Sequence, residues 1–308
     1  MTKISIIIPN YNGASWLSDC LKSIVASAQN CPKLLIETIL VDNNSSDNSR
    51  EIFHKIGQKH PLLHPHFLKL DQNFGFAAAV NQGIEISKHP LLFVLNNDIR
   101  LSSNWFNHLV DSMNKYPDFS VYYALVLNKK GTKIESSGLK YFMSGKCLNL
   151  NNNQNNTYKK RLAGFGPIWG APASAVIYKK SALKQVGLFD PRFFAYIEDV
   201  DLAYRLAKSN HKTLYIPTSY SYHLGGATSS KMGNLRAKMT YRNWHYLILK
   251  NYSPNDIIQN LPGIFLERLR NLKYFFQSTP KLSFPFEFIR VHFQICRFFF
   301  TNLLKSTL

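Results

Sequence analysis

The chain has 308 residues, 45% of them hydrophobic and 14% aromatic, without enrichment in Gly or Pro; this excludes a disordered or fibrous protein and allows one large domain or a domain with an appendage. It carries 37 Lys+Arg against 18 Asp+Glu, a formal net charge of +19, so its field favours polyanions, anionic lipid surfaces or phosphate-bearing ligands. The cysteines Cys20, Cys31, Cys147 and Cys296 form no CxxC pair, which argues against a zinc site or a disulfide framework and for a reducing compartment.

In chain order, Ile4 to Ile8 is an apolar, β-branched run bounded by Pro9, Asn10 and Gly13, the pattern of a strand buried on both faces. This run is too short for the apolar region of a secretory signal, which predicts a cytoplasmic protein. A helix near 15–28, a strand 36–41, a helix 47–58, a strand 67–70, a helix 74–86 and a strand 91–95 follow. Such alternation implies right-handed βαβ units and an α/β fold, a doubly wound, mostly parallel sheet flanked by helices. Ligands of these sheets bind at the carboxyl ends of the strands.

After Asp98 an amphipathic helix carries Trp105, Leu109 and Met113 on one face, and strand-like pieces at 120–127 and 133–142 extend the sheet. Residues 149–156, with six Asn and one Gln, have nothing to bury and predict an exposed, mobile loop. A strand 173–178, a helix 198–208 and a strand 213–216 complete an expected nucleotide-binding unit over residues 1–230. Residues 231–308 hold 12 Lys+Arg against Asp256, Glu267 and Glu287 and predict a basic, aromatic helical extension. Its longest apolar run, Val291 to Leu304, is interrupted by Arg297 and falls short of the roughly 18 apolar residues of a spanning helix.

Three clusters carry candidate chemistry. Asp42 ends the second strand, where a carboxylate can accept hydrogen bonds from a base or ribose. Nearby Asp47 is either a ligand group or a helix cap. Asn96, Asn97 and Asp98 end the fourth strand, where Asp98 offers a hard oxygen to a divalent metal bridging a diphosphate. Glu198, Asp199 and Asp201 open a helix, as its positive end favours, but the aromatic run before them also suits a dry acceptor pocket around a general base. His223 precedes a Gly- and Ser-rich stretch, 225–230, that could close over phosphates; the histidine is either structural or a metal or phosphate contact.

Together with Ile8 to Gly13 and Asn73 to Ile84, these segments resemble family 2 glycosyltransferases of the GT-A fold, particularly the rhamnosyltransferase-like branch. The resemblance covers about the first three-quarters of the chain. It implies that Pro9, Asn10, Tyr11 and Asp42 hold the nucleoside, that Asn73, Gly75, Asn81 and Asn97 line the donor pocket, and that Asp98 binds Mg²⁺ or Mn²⁺, with His223 as a further metal contact. Asp199, paired with Glu198, would deprotonate an acceptor hydroxyl in a single displacement that inverts the anomeric centre. The expected partners are a nucleotide-sugar donor and a glycan or lipid-linked acceptor in cell-surface polysaccharide synthesis. Many relatives have two acids where this chain has Asn97 and Asp98, which bears on metal choice.

The segments Phe265 to Phe276 and Phe286 to Leu304 mix aromatics with Lys and Arg, predicting either peripheral contact with an anionic membrane surface at the inner face of the cell membrane or helices packed on the catalytic domain. Three rivals stand beside this reading. A nucleotidyltransferase would place a basic, Gly-rich loop after the first strand, and residues 10–14 contain no Lys or Arg. A nucleic-acid-binding protein, suggested by the charge, has no use for acidic strand tips, so no nucleic-acid partner is expected. A catalytically inactive relative acting as a scaffold is the third.

Overall fold

The computed structural model of the chain describes residues 1–157, 165–225 and 233–306. Strand β1 (Thr2–Asn10) buries Ile4, Ile6, Ile7 and Ile8 completely, as its β-branched run dictates. It is followed by α1 (Ala14–Gln29), β2 (Leu34–Asp42), α2 (Ser49–Lys59), β3 (Pro65–Lys69), α3 (Gly75–Ile86) and β4 (Leu91–Leu95). Next come β5 (Ile99–Leu101), α4 (Trp105–Lys115), β6 (Val121–Asn128), β7 (Ile134–Ser136), β8 (Leu139–Phe142), β9 (Lys146–Asn149), β10 (Gly166–Ile168) and β11 (Ala175–Lys179). Helices α5 (Lys180–Val186) and α6 (Glu198–Lys208), strand β12 (Thr213–His223), and helices α7 (Gly233–Asn251), α8 (Pro254–Ser278) and α9 (Phe284–Ser306) complete the chain.

Strands β3, β2, β1 and β4 lie side by side and parallel. Two crossovers step outward from β1 and the third returns past it, so right-handed connections put α1 and α2 on one face and α3 on the other. The sheet is doubly wound, as expected, and its order reverses between β1 and β4, where a ligand crevice is favoured. Beyond β4 the order continues β11, β6, β12, β10. β11 is inserted antiparallel between β4 and β6, whereas β12 runs parallel to β6. The apolar face near β4 is closed by α4, whose Trp105 stacks on Phe93 at 4.4 Å between ring centroids.

Three local expectations change. The single strand over 133–142 is broken at Gly138, whose φ of 127° suits glycine, and β8 leaves the main sheet to pair with β9. The Asn-rich stretch is no free loop, because Ile134 N donates to Gln154 O and Asn153 N to Ile134 O, laying it along β7. The strand expected over 213–216 is followed by Pro217, which lacks an N–H. The strand instead absorbs it in a register shift between Ile216 and Tyr220 and runs on to His223.

The C-terminal helices share a core with the sheet domain. Phe193, Val200 and Ala203 cluster with Tyr241, Trp244 and Leu247 of α7, Phe275 of α8, and Val291 and Phe298 of α9. Helix α8 begins well before residue 265 because Ser253 and Asp256 form a capping box with Pro254 at its first turn, and it continues through Pro262. Among the described residues no helix is long and apolar enough to cross a membrane.

Asp201 joins α6 to α7. Fully buried, its carboxylate accepts from Arg205 Nη2 at 2.8 Å, Lys250 Nζ at 2.9 Å and Asn251 Nδ2 at 2.8 Å. Removing one partner of such a buried network leaves uncompensated charge. Asp201→Ala is therefore expected to destabilise the protein by about 3–5 kcal/mol in urea unfolding; a loss below about 1 kcal/mol, the range of exposed pairs, would contradict this role.

Candidate active site

A cavity of about 480 Å³ opens outside the carboxyl ends of β1, β2 and β4, at the switch point of the sheet. Pro9, Asn10 and Tyr11 enter it from the end of β1, Asn73 and Gly75 from the start of α3, and Asn97 and Asp98 from the end of β4. Glu198 and Asp199 enter from the start of α6, and His223 from the end of β12. Its described lining holds three carboxylates and neither Lys nor Arg.

The floor is an amide network. Asn97 Nδ2 donates to Asn10 Oδ1 at 2.7 Å, tying β4 to β1, and Asn10 Nδ2 donates to Asp42 Oδ1 at 3.2 Å. A side chain at Gly13 would place its Cβ 2.0 Å from Asn97 Nδ2, so only glycine admits this bridge. Asp42 does not line the cavity: it is 3% exposed and also accepts from Ser45 N at 3.1 Å, standing behind Asn10 as its support. Asn81 stands apart as well. It donates to Phe189 O at 2.7 Å and accepts from Phe189 N at 3.1 Å, clamping the segment that leads toward α6. Asp47 acts as a cap, receiving Ala14 N at 2.9 Å and Ser49 N at 3.1 Å at the starts of α1 and α2.

On the β4 side, Asp98 is 7% exposed, and its Oδ1 has no hydrogen-bond partner. Its Oδ2 lies 3.1 Å from His223 Nε2, and the other ring nitrogen, Nδ1, lies 2.7 Å from Glu135 Oε2. Burial alone would lower the imidazole, but its hydrogen bonds to Asp98 and Glu135, and their charges, raise it to about 10. Glu135 is a site residue missing from the sequence reading; it sits on the short strand β7, and nothing in the local pattern links it to His223. Residues 226–230 of the stretch expected to close over phosphates lie outside the described residues.

Asp98 and His223 fit a divalent cation, because one buried carboxylate oxygen is unpartnered and an imidazole edge stands beside it. No group of three or more His, Cys, Asp or Glu suited to a metal converges among the described residues. A cation here would complete its coordination with ligand phosphates and water.

The opposite wall carries the acid pair. Asp199 Oδ1 accepts from Val200 N at 2.8 Å and Oδ2 from Ala173 N at 3.3 Å, which fixes the carboxylate. Burial pushes Asp199 up, while these backbone donors draw it partly back. Glu198 is raised well above the usual range, first by burial and then by the charge of Asp199, and its Oε2 has no partner. Of the pair, Glu198 is thus the one that holds a proton more readily, and Asp199 the one whose charged form the backbone donors favour. Just upstream, Phe194, Tyr196 and Ile197 have φ of 66°, 68° and 70°, a strained conformation costing on the order of 1–3 kcal/mol per residue. Gly75 underlies this loop, since a Cβ there would meet Phe194 O at 2.5 Å.

Residues 5–187 match the profile of Glycosyl transferase family 2. An N-acetylglucosaminyl-diphospho-decaprenol L-rhamnosyltransferase of Mycobacterium tuberculosis is 25% identical over 223 residues, covering 66% of this chain and 71% of that protein. A poly-beta-1,6-N-acetyl-D-glucosamine synthase of Staphylococcus epidermidis is 22% identical over 315 residues, covering 98% of this chain and 71% of that protein. Among solved structures, S. aureus TarS 1–349 superposes with a TM-score of 0.61 at 16% identity, covering 96% of this chain and 81% of that one. The mannosyltransferase PcManGT of Pyrobaculum calidifontis, in complex with GDP-Man and Mn²⁺, gives 0.60 at 14%, covering 97% and 86%. Family match and sheet architecture agree, and the chain belongs to the family 2 glycosyltransferases, enzymes built on the GT-A fold.

Proposed function

We propose that the cavity takes a nucleotide-sugar donor through a divalent cation and that Asp199 activates the hydroxyl of a glycan or lipid-linked acceptor. The carrying observation is electrostatic: a protein of net charge +19 presents three carboxylates, and no described Lys or Arg, to the ligand at its switch point. A bare diphosphate would find no described Lys or Arg to pair with there. Asp98 and His223 would hold Mg²⁺ or Mn²⁺, which supplies charge neutralisation to the leaving diphosphate. Tyr11, 41% exposed, offers a ring face beside Asn10 to the nucleobase. Asp199, with its carboxylate fixed and its basicity raised by burial, takes the proton as the acceptor oxygen attacks the anomeric carbon. Attack from the face opposite the diphosphate inverts that centre.

The donor class has support from relatives of the same fold, TarS solved with UDP-GlcNAc and PcManGT with GDP-Man and Mn²⁺. The acceptor class and a place in cell-surface glycan synthesis have support from the names of the polysaccharide synthase and the decaprenol-linked rhamnosyltransferase. Release of nucleoside diphosphate from a panel of UDP-, GDP- and dTDP-sugars is expected to require Mg²⁺ or Mn²⁺, and Asp199→Asn is expected to slow it by about 10²–10⁴-fold. Wild-type turnover in Asp199→Asn would remove the base assignment.

The raised imidazole gives a pH dependence with a definite sign. Without metal, His223 is protonated below about 10, and a protonated Nε2 cannot ligate. Mn²⁺ affinity is therefore expected to strengthen as pH rises toward that value, with about one proton released per ion bound. Calorimetry in two buffers of different ionisation enthalpy reads this, and affinity flat with pH would contradict it.

The extension supports docking at an anionic membrane. On α9, Phe286, Phe293 and Phe300 recur every seventh residue and are 77%, 70% and 60% exposed, with Arg290 and Arg297 exposed alongside. Aromatics beside bases match the interface between acyl chains and anionic headgroups. The protein is expected to sediment with vesicles containing phosphatidylglycerol and not with neutral ones, and Phe286→Ser with Phe293→Ser to lose that binding. Equal binding of the double variant would point to a face that meets another protein.

A further inference from the structure

The loop that delivers Asp199 is held from behind by a residue of the C-terminal helices. Asn243, on α7, is fully buried. Its Nδ2 donates to three backbone carbonyls of one short loop: Phe193 at 2.9 Å, Ala195 at 2.9 Å and Tyr196 at 2.7 Å. Its Oδ1 accepts from Arg242 Nε at 3.0 Å, which orients the amide so that the nitrogen faces the loop. Arg242 Nη2 adds a second donor to Phe193 O at 3.0 Å.

These carbonyls converge because the loop is bent through positive φ at Phe194, Tyr196 and Ile197. A β-branched residue such as Ile197 adopts that region rarely, and such conformations persist only where the surroundings over-determine them. Carbonyls turned inward and left without a donor would be unsatisfied and buried. Ile197 is also the residue that caps α6, so its backbone sets the direction of the first helical turn, on which Asp199 stands. The carboxylate is fixed on its far side by Ala173 N and Val200 N.

We propose that Asn243, oriented by Arg242, is a positioning residue for Asp199, so that the helical extension completes the catalytic geometry. This rests on the reading of Asp199 as the general base. The test compares Asn243→Ala and Arg242→Lys with Leu247→Ala, which empties a fully buried position one turn along the same helix whose apolar side chain gives the loop no hydrogen bond. Turnover of the UDP-, GDP- and dTDP-sugar panel with Mn²⁺ is expected to fall about tenfold or more in kcat for Asn243→Ala, with the donor KM changed by less than about twofold. Arg242→Lys should show a smaller loss of the same kind, and Leu247→Ala should lower the melting temperature while leaving kcat within about twofold.

Hydrogen exchange supplies a readout that needs no donor: amides of residues 194–200 should lose protection in Asn243→Ala while those of β1 and β4 keep theirs. Unchanged exchange and kcat in Asn243→Ala, or an equal kcat loss in Leu247→Ala, would overturn the proposal. Should Asn243→Ala not fold, Arg242→Lys decides by the same two readouts. An active Asp199→Asn enzyme would remove the base assignment instead, a result separate from the exchange pattern.

Discussion

Charge is distributed against the grain of the whole molecule. The chain carries a net +19, yet Asp98, Glu198 and Asp199 face one cavity whose described walls hold neither Lys nor Arg, the raised His223 being held between Asp98 and Glu135. One buried carboxylate oxygen of Asp98 is left unpartnered, and burial followed by the charge of Asp199 raises Glu198 well above the usual range. Such a site is poor at binding a free anion and well suited to an anion that arrives with a divalent cation. The elements around it fix the walls: the Asn10–Asn97 bridge ties the β1 and β4 tips, Asp42 backs that bridge, and Asn81 holds the chain on its way to α6.

Two of the three acids are delivered in different ways. Asp98 follows a buried strand, β4, whose register with β1 and β11 leaves little freedom at its tip. Asp199 follows a strained loop that has no ladder of its own and borrows rigidity from Asn243 and Gly75. The extension over α7 to α9 therefore holds the loop that precedes Asp199 as well as presenting exposed aromatic surface. Its buried ion network at Asp201 and its shared core with Phe193 and Val200 make the two parts mechanically continuous.

Strands β1, β2 and β4 were legible because each is an apolar run ended by Pro, Asn or Asp, and those ends are where the cavity forms. Roles depending on distant partners were not. Glu135 meets His223 across 88 positions, and Asn243 meets carbonyls 47 to 50 positions away, so no local pattern announces either. Asp47 could read as ligand or cap until the amides of Ala14 and Ser49 were seen to use both its oxygens. Asp42 sat at the expected strand tip, yet its lone pairs went to Asn10 and Ser45. The strand expected over 213–216 runs on to His223 because a proline, which lacks an N–H, is tolerated at the irregularity between Ile216 and Tyr220.

The central claim is that the cavity accepts a nucleoside diphosphate only together with a cation. Equilibrium titration of UDP, GDP and dTDP into the full chain, with Mn²⁺ and again in EDTA, tests it most directly. The account predicts saturable binding of at least one nucleotide with Mn²⁺, lost in EDTA and lost in Asp98→Ala. Equal affinity in EDTA would contradict it, since the diphosphate would then be held by groups other than a cation at Asp98 and His223.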